Sequence, residues 1–454
     1  MKIIIVGAGK IGTVIAEKLC REGHDITVID NREDRVNQIG ERFDIMTIHG
    51  NGSTYEVLTE AGVDTANLLI AATPSDELNL LCCLIAKKLG ARHTIARVGN
   101  SEFNREIQLI KKDLGLSMAF NPEMATAVEM TRILRVPAAV KIDTFAKGRV
   151  ELLKVRVATD SALDGISLVE LGTKETKMLV CAVERGENEV YIPSGNFRLQ
   201  AGDLISVIAK PKDAYAFFKH AHINAAPVRR LMLVGGGKIA YYIANIMLDL
   251  GVSVKIIENN PATCELLADA LPEATIIHGD GTDRQLLLEE GITQTDAVVS
   301  LTGVDEENIL MSLYAEKQSD AKVITKVNRL SFTDIVASLE LSSVVYPCLI
   351  AAETVCRYVR ALQNSVGSNV ETLHQIVDGK AEALEFRVNV ESKVCNIPLC
   401  ELTLRKNLLI ATINRGGKII TPRGNDEIRL GDTVIVVTTN TGLNDLDDIL
   451  ENKG

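Results

Sequence analysis

The stretch Val6-Gly7-Ala8-Gly9-Lys10-Ile11-Gly12 decides the fold, because it joins an apolar segment, Lys2 to Val6, to an amphipathic segment, Lys10 to Arg21. At this point the spacing of the apolar residues changes from that of a buried strand to that of a helix. In a G-x-G-x-x-G loop between a strand and a helix, the first glycine allows the tight turn and the second lets a pyrophosphate approach the backbone. The third packs the helix against the strand. The sequence therefore predicts a βα unit whose loop binds phosphate.

The same pattern occurs a second time in the chain. Val234-Gly235-Gly236-Gly237-Lys238-Ile239-Ala240 lies 228 residues later (234 − 6), with alanine in place of the third glycine. Asp30 matches Glu258 at the same offset. The turns His49-Gly50-Asn51-Gly52-Ser53 and His278-Gly279-Asp280-Gly281-Thr282 match at 229 residues (278 − 49). A register that persists over half of the chain indicates a tandem duplication.

Each half alternates strands with helices of about 10 to 15 residues, which predicts a doubly wound parallel sheet. A small mixed module of four strands and one short helix follows, with Gly202-Asp203 or Gly431-Asp432 before its last strand. We therefore expect an α/β fold with two doubly wound, parallel-sheet Rossmann-like domains, each followed by a small α+β lobe. The expected domains are residues 1–137, 138–225, 228–360 and 361–454.

Composition excludes several classes of function. The 454 residues are 46% hydrophobic and 24% charged, as in globular proteins, and the net charge of −11 argues against nucleic-acid binding. No apolar stretch approaches the roughly 20 residues that a membrane span needs. The nine cysteines show no CxxC spacing, which favours reduced thiols over a zinc or disulfide framework. His220-Ala-His222 has no further ligand nearby, so we expect no metal site. The short apolar stretches and the reduced thiols lead us to expect a soluble, cytoplasmic chain.

The candidate nucleotide site of each half lies at the carboxyl ends of its strands, where ligands bind in such sheets. A carboxylate at the end of the second strand, Asp30 or Glu258, accepts hydrogen bonds from ribose hydroxyls and repels a 2′-phosphate. NAD(H) or an adenosine nucleotide is therefore favoured over NADP(H), although Arg32 weakens that preference. The predicted residues of the first half are Gly7, Ala8, Gly9, Lys10, Ile11, Gly12, Asp30, Asn51, Thr73, Pro74 and Arg97. Those of the second half are Gly235, Gly236, Gly237, Lys238, Ile239, Glu258, Asp280, Thr302 and Lys326.

Some of these residues have a second interpretation. Asn51 and Asp280, after the third strand, either border the adenine or form plain turns. Arg97 and Lys326, which close the fifth strand, pair either with a phosphate or with a neighbouring acid. The two loop lysines either touch a terminal phosphate or lie in solvent.

Tandem glycine loops, each with its acid, its HGNGS or HGDGT turn and a small module carrying Gly-Asp, resemble the RCK (also called KTN) domains that regulate potassium transport. Two such units in one chain resemble the regulatory subunits of Trk potassium uptake systems, over essentially the whole sequence. The resemblance implies NAD(H), and also ATP or ADP, as ligands of the glycine loops, acids and threonines. It further implies a homo-oligomeric ring, expected to be a tetramer, on the cytoplasmic face of a membrane-embedded potassium channel subunit of the Trk type.

An NAD-dependent dehydrogenase is the alternative. Such an enzyme needs a catalytic domain that presents a His, Lys or Asp acid/base beside the nicotinamide. The residues left after each Rossmann-like unit are few, and they repeat in both halves without a conspicuous acid/base cluster. We therefore expect a ligand-gated regulator and not an enzyme.

Two helices, beginning near Pro122 and Pro347, predict self-association. Neither has a further strand to lead into within its own sheet, so each is expected to cross to a neighbour. In the alternative interpretation each helix packs on its own sheet and links to the small module.

Overall fold

The structure is a computed structural model. The structure describes residues 1–100, 111, 113–159, 161–172, 178–186, 189–210, 213–214, 218, 227–339, 341–364, 370–376, 380–440, 442–443 and 445–451. His220-Ala-His222 lies outside these residues. Within the described ranges, no group of three or more His, Cys, Asp or Glu side chains is placed to hold a metal ion.

The first half forms two sheets with their helices. Its elements are β1 (Lys2–Val6), α1 (Lys10–Arg21), β2 (Asp25–Asp30), α2 (Glu33–Phe43), β3 (Met46–His49), α3 (Tyr55–Glu60), β4 (Leu68–Ala71), α4 (Asp76–Leu89), β5 (His93–Arg97), β6 (Met118–Phe120), α5 (Pro122–Arg135), β7 (Lys141–Phe145), β8 (Val150–Arg156), α6 (Leu168–Gly172), β9 (Met178–Arg185), β10 (Glu189–Tyr191) and β11 (Leu204–Ala209). Short 3-10 turns lie at Val63–Thr65 and Ala146–Gly148.

The second half repeats the order of the strands. Its elements are β12 (Arg230–Val234), α7 (Lys238–Asp249), β13 (Ser253–Glu258), α8 (Pro261–Ala270), β14 (Thr275–His278), α9 (Arg284–Glu289), β15 (Ala297–Ser300), α10 (Asp305–Gln318), β16 (Lys322–Lys326), α11 (Thr333–Ser338), β17 (Val344–Val345), α12 (Pro347–Asn364), β18 (Val370–Ile376), β19 (Ala381–Arg387), β20 (Leu408–Arg415), β21 (Lys418–Ile420) and β22 (Thr433–Thr438). Its 3-10 turns lie at Ile292–Gln294, Leu399–Glu401 and Leu446–Ile449.

The two large sheets confirm the predicted fold class. Each has six parallel strands, in the orders β3-β2-β1-β4-β5-β6 and β14-β13-β12-β15-β16-β17, which is the Rossmann arrangement. The central strands are buried on both faces, so they consist of continuous apolar runs such as Ile3, Ile4 and Ile5, all of which are fully buried. The strand order puts the glycine loop next to the end of β4 or β15, at the point where the order reverses and ligands bind.

The small lobes differ from the prediction. Each contains five strands, in the orders β10-β9-β11-β8-β7 and β18-β19-β22-β20-β21, and all of the pairings within them are antiparallel. The expectation of a mixed four-stranded module was therefore wrong. The unpredicted strands, β7 and β18, lie at sheet edges, where one side of the strand has no partner and the apolar pattern is weak.

A buried ion pair explains the Gly-Asp motif of each lobe. Asp203 is 1% exposed and accepts two hydrogen bonds from the Arg185 guanidinium, at 2.8 and 2.7 Å. Asp432 does the same with Arg415, at 3.0 and 2.8 Å. The carboxylate closes the turn before the last strand and links it to the neighbouring strand of the sheet, β9 or β20.

The chain divides into two compact units that each draw on both halves. Unit 1 comprises Met1–Thr131 and Arg229–Cys356, and so contains both large sheets. Unit 2 comprises Arg132–Val228 and Arg357–Gly454, and so contains both lobes. Like domains of the duplicated chain are therefore grouped together.

Within unit 1 the two halves contact each other near α5 and α12. The Asn121 amide, just before α5, donates to the Tyr242 hydroxyl on α7 at 3.1 Å. Lys18 on α1 forms an ion pair with Glu353 on α12 at 3.0 Å. The two halves of one chain are therefore in contact beside the starts of these helices, and the predicted crossing to a neighbouring chain stays a prediction.

All nine cysteines lie in the described part of the chain, and no disulfide links them. Burial raises the pKa of Cys82 and of Cys181 to about 12, so these thiols stay protonated at neutral pH. Among the described helices, none combines the length and apolar character required to span a membrane.

Candidate functional site

The first glycine of each loop is required by the backbone. Gly7 has φ +107°, and a Cβ there would lie 3.0 Å from the backbone of Ala72 and Thr73 at the end of β4. Gly235 has φ +103° and the same close approach, 2.9 Å, to the backbone that follows β15. Any other residue would be strained and would push the loop away from the neighbouring strand.

The second glycine is different, because nothing in the protein requires it. Gly9 and Gly237 precede α1 and α7 with φ of −76° and −69°, which any residue adopts. A Cβ at either position would meet nothing within 4 Å. Each glycine therefore faces open space beside a helix N-terminus, where unpaired backbone N–H groups and the helix dipole favour an anion.

The two loops differ at the position of the third glycine. A Cβ on Gly12 would lie only 1.8 Å from the Gly7 carbonyl oxygen, so α1 packs tightly on its own loop. The second half has Ala240 at this position, and the residue is fully buried. Helix α7 must therefore leave room for a methyl group. Ile11 and Ile239, the neighbouring loop residues, are half-buried in the first turns of these helices.

The predicted acid anchors the glycine loop in both halves. Asp30, 6% exposed, accepts a hydrogen bond from the Ala8 N–H at 2.6 Å and another from the Arg32 N–H at 2.9 Å. Glu258 accepts from the Gly236 N–H at 2.6 Å and from the Asn260 N–H at 2.8 Å. Each carboxylate oxygen keeps a lone pair, so the acid remains able to accept a ribose hydroxyl.

The side chains that follow β3 and β14 form turns. Asn51 accepts hydrogen bonds from the Ser53 N–H at 3.0 Å and hydroxyl at 2.8 Å. Asp280 accepts both corresponding bonds from Thr282 at 2.8 Å, and these bonds hold the pKa of Asp280 below its usual value. Of the two interpretations of these residues, the geometry favours the turn.

A buried asparagine in each half holds the threonine that follows the fourth strand, and the sequence analysis did not assign it. The Asn79 oxygen accepts from the Thr73 N–H at 2.9 Å and hydroxyl at 2.7 Å, and its amide donates to the carbonyls of Thr73 and Arg97 at 3.0 and 3.1 Å. Asn308 repeats all four bonds with Thr302 and Lys326. The threonine proton is thus already donated, which leaves the hydroxyl oxygen to accept.

The cations at the sheet edge also have protein partners. Arg97 forms an ion pair with Glu123 at 2.9 Å, which matches the interpretation as a pair with a neighbouring acid. The Lys326 ammonium donates to the Leu301 carbonyl at 2.7 Å, and burial lowers its pKa. The charge of Lys10, a loop residue of the first half, adds to that lowering.

A cleft of about 210 Å³ lies between the two halves of unit 1. It is lined by Pro74 and Arg97 of the first half and by Lys238 of the second. The Lys238 ammonium donates to the Gly99 carbonyl at 3.3 Å. The loop of one half thus reaches the carboxyl edge of the other half's sheet.

Two family models match the chain. The TrkA-N domain matches residues 3–122 and 231–347, and the TrkA-C domain matches residues 152–222 and 383–451. Trk system potassium uptake protein TrkA homolog 2 of Methanosarcina mazei is 30% identical over 460 residues, covering 99% of this chain and 100% of the relative. The TrkA homolog of Archaeoglobus fulgidus is 32% identical over 437 residues, covering 96% of this chain and 97% of the relative.

Solved structures share the fold. The GsuK channel bound to NAD is 17% identical, with a TM-score of 0.62 over 96% of this chain and 76% of that chain. GsuK bound to ADP is 14% identical, with a TM-score of 0.51 over 80% of this chain and 69% of that chain.

The third loop position gives a matched pair of substitutions. We expect Gly12→Ala to lower the free energy of unfolding by on the order of 3 kcal/mol, because its methyl group overlaps the Gly7 carbonyl and α1 must shift. The reverse change, Ala240→Gly, is expected to cost about 1 kcal/mol through helix propensity alone. Urea unfolding followed by circular dichroism measures both. Equal effects of the two substitutions would contradict the difference in helix packing.

Proposed function

The chain belongs to the family of the Trk system potassium uptake protein TrkA, and from this premise we propose that it is a nucleotide-binding regulatory subunit that gates a membrane-embedded potassium channel subunit of the Trk type. The observation that carries the proposal is the open space at Gly9 and Gly237, each beside a helix N-terminus and an anchored acid. Family membership places the chain with potassium uptake proteins and not with the dehydrogenases.

The proposed ligands are NAD(H) at both loops, with ATP or ADP as further ligands. The pyrophosphate lies against the first N–H groups of α1 or α7, where no side chain caps the helix. Asp30 or Glu258 accepts from the ribose hydroxyls and repels a 2′-phosphate. The structures of GsuK with NAD and with ADP support this class of ligand.

A regulator must bind its ligand more tightly in one state than in another, because equal binding to both shifts nothing. In this proposal, the nucleotide acts by changing the contacts between the halves of unit 1. Lys238 lies on the second loop and donates to Gly99 at the edge of the first sheet, so a ligand at either place changes that contact. The coupling is expected to be about 1 to 3 kcal/mol, and the nucleotide is not consumed.

The proposed assembly is a homo-oligomeric ring, a tetramer, held through its partner at the cytoplasmic face of the membrane. The contacts of Asn121, before α5, and of Glu353, on α12, lie within one chain, so the interface between chains is proposed at other surfaces. Leu81 on α4 and Leu310 on α10 occupy equivalent positions in the two halves and are 45% and 67% exposed. Exposed apolar side chains repeated in both halves support an interface there.

The first prediction concerns nucleotide binding. We expect NADH to bind at both loops more tightly than NADPH, and Asp30→Ala to weaken NADH binding at the first loop by about tenfold, because a charge-assisted hydrogen bond to ribose is lost. Isothermal titration calorimetry measures the affinities. Glu41→Ala, which removes an exposed carboxylate from the helix that follows Asp30, α2, is the control and should change nothing. Equal affinity of the wild type for NADH and NADPH at both loops would count against the proposal.

The second prediction concerns assembly. Light scattering at micromolar concentration is expected to give a mass several times that of one chain, and Leu310→Asp to lower it, because a carboxylate is costly to bury in an apolar contact. Leu266→Asp, at an exposed leucine on α8, should leave the mass unchanged. A monomeric wild type would overturn the oligomer.

The third prediction concerns gating. In liposomes that contain the partner channel, ATP, ADP, NAD and NADH are expected to give different potassium fluxes with the wild type. The double variant Gly9→Asp, Gly237→Asp should lose these differences, because each new carboxylate occupies the place of a phosphate without a clash. If the wild type gives one flux with all four nucleotides, or if the variant responds as the wild type does, the gating role of the loops is wrong.

A further inference from the structure

The ribose ends of the two candidate sites are built alike but carry different charges. The N–H of Arg32 donates to Asp30 at 2.9 Å, and the N–H of Asn260 donates to Glu258 at 2.8 Å, so these two residues are structurally equivalent. Both residues precede the helix that follows the acid, α2 or α8. Three residues after each of them, Arg35 in α2 is equivalent to Thr263 in α8.

Arg32 does not supply free positive charge to this end of the site. Its guanidinium donates to both carboxylate oxygens of Asp34, at 3.1 and 2.6 Å. This pairing raises the pKa of Arg32 and lowers that of Asp34. The positive charge of Arg32, which was expected to weaken discrimination against NADP(H), is therefore offset in part by Asp34.

Arg35 is placed differently. Its Nη1 atom lies 3.9 Å from Oδ2 of Asp30, which is close enough for charge attraction but too long for a hydrogen bond. The Arg35 side chain is 36% exposed, whereas that of Asp30 is 6% exposed. A guanidinium thus stands at the solvent side of the ribose-binding acid. In the second half, Thr263 carries no charge, and its N–H donates to the capping Asn260 at 3.1 Å.

We propose that Arg35 is a specificity-determining residue, which lets the first half tolerate a 2′-phosphate and so accept NADPH beside NADH, while the second half remains selective for NADH. The proposal deepens the nucleotide-binding function proposed above and rests on it. A guanidinium offers paired donors that fit a phosphate, and an arginine near the ribose is how such folds accommodate the 2′-phosphate. Arg35 also offsets the negative charge of Asp30, which reduces its repulsion of the phosphate.

The two halves then differ in how strongly they select NADH over NADPH. Both sites prefer NADH, but the preference is smaller in the first half. A change in NADPH concentration then alters the occupancy of the first loop and leaves that of the second unchanged.

The test measures each site separately in the full chain. Gly237→Asp leaves the first loop as the binding site, and Gly9→Asp leaves the second, because both positions have space for the new side chain. For each variant, calorimetry gives the ratio of the Kd for NADPH to the Kd for NADH. We expect this ratio to be about five to ten times smaller at the first loop, the effect of one favourable charge pair at a partly exposed position.

Reciprocal substitutions then assign the difference to one residue. Arg35→Thr is expected to raise the ratio at the first loop to the value of the second, and Thr263→Arg to lower the ratio at the second loop. Arg32→Asn, which copies the other equivalent residue, is the matched control and should leave the ratio unchanged because Asp34 already holds that guanidinium. Circular dichroism confirms that each variant is folded.

The outcomes separate the inference from the function on which it rests. Equal ratios at the two loops, no effect of Arg35→Thr, or no effect of Thr263→Arg overturns the role of Arg35 while leaving NADH binding in place. A change with Arg32→Asn instead would assign the selectivity to Arg32 and overturn the proposal. Failure of NADH to bind at either loop contradicts the proposed function and, with it, this inference.

Discussion

A hydrogen bond from the glycine loop to the acid at the end of the second strand holds each candidate site together. Its length is 2.6 Å in both halves, from Ala8 to Asp30 and from Gly236 to Glu258. The bond fixes the loop that ends β1 or β12 against the neighbouring strand, which in turn sets where the following helix begins. The open N-terminus of that helix and the carboxylate therefore have fixed positions relative to each other, which the proposed binding of a pyrophosphate and a ribose requires.

Local sequence patterns were sufficient for this part of the molecule. The apolar run of β1, the glycine spacing and the position of Asp30 all act between neighbours in sequence, so they predicted the sheet, the loop and the acid together. The strands β7 and β18 escaped prediction because edge strands need little apolar pattern. The role of Asn79 escaped because an asparagine in a helix becomes informative only when its burial beneath the strand ends is known.

Long-range packing was the part that sequence could not supply. The helices that begin at Pro122 and Pro347 were expected to reach a neighbouring chain, and the contacts of Asn121 and Glu353 show that the two halves of one chain also meet beside these helices. The duplication thus provides each large domain with a covalently linked partner of its own kind. The same packing brings Lys238 to the edge of the first sheet, a proximity that no spacing in the sequence indicates.

The interleaving of the two units has a consequence for synthesis on the ribosome. Unit 1 ends at Cys356, so the first Rossmann-like domain is translated long before the partner on which it packs. Domains generally fold in order of synthesis, and transiently exposed surfaces invite aggregation. The nascent first domain must therefore remain soluble with the α1 surface around Lys18 uncovered. That requirement favours polar contacts there, such as the ion pair with Glu353, over a large apolar patch.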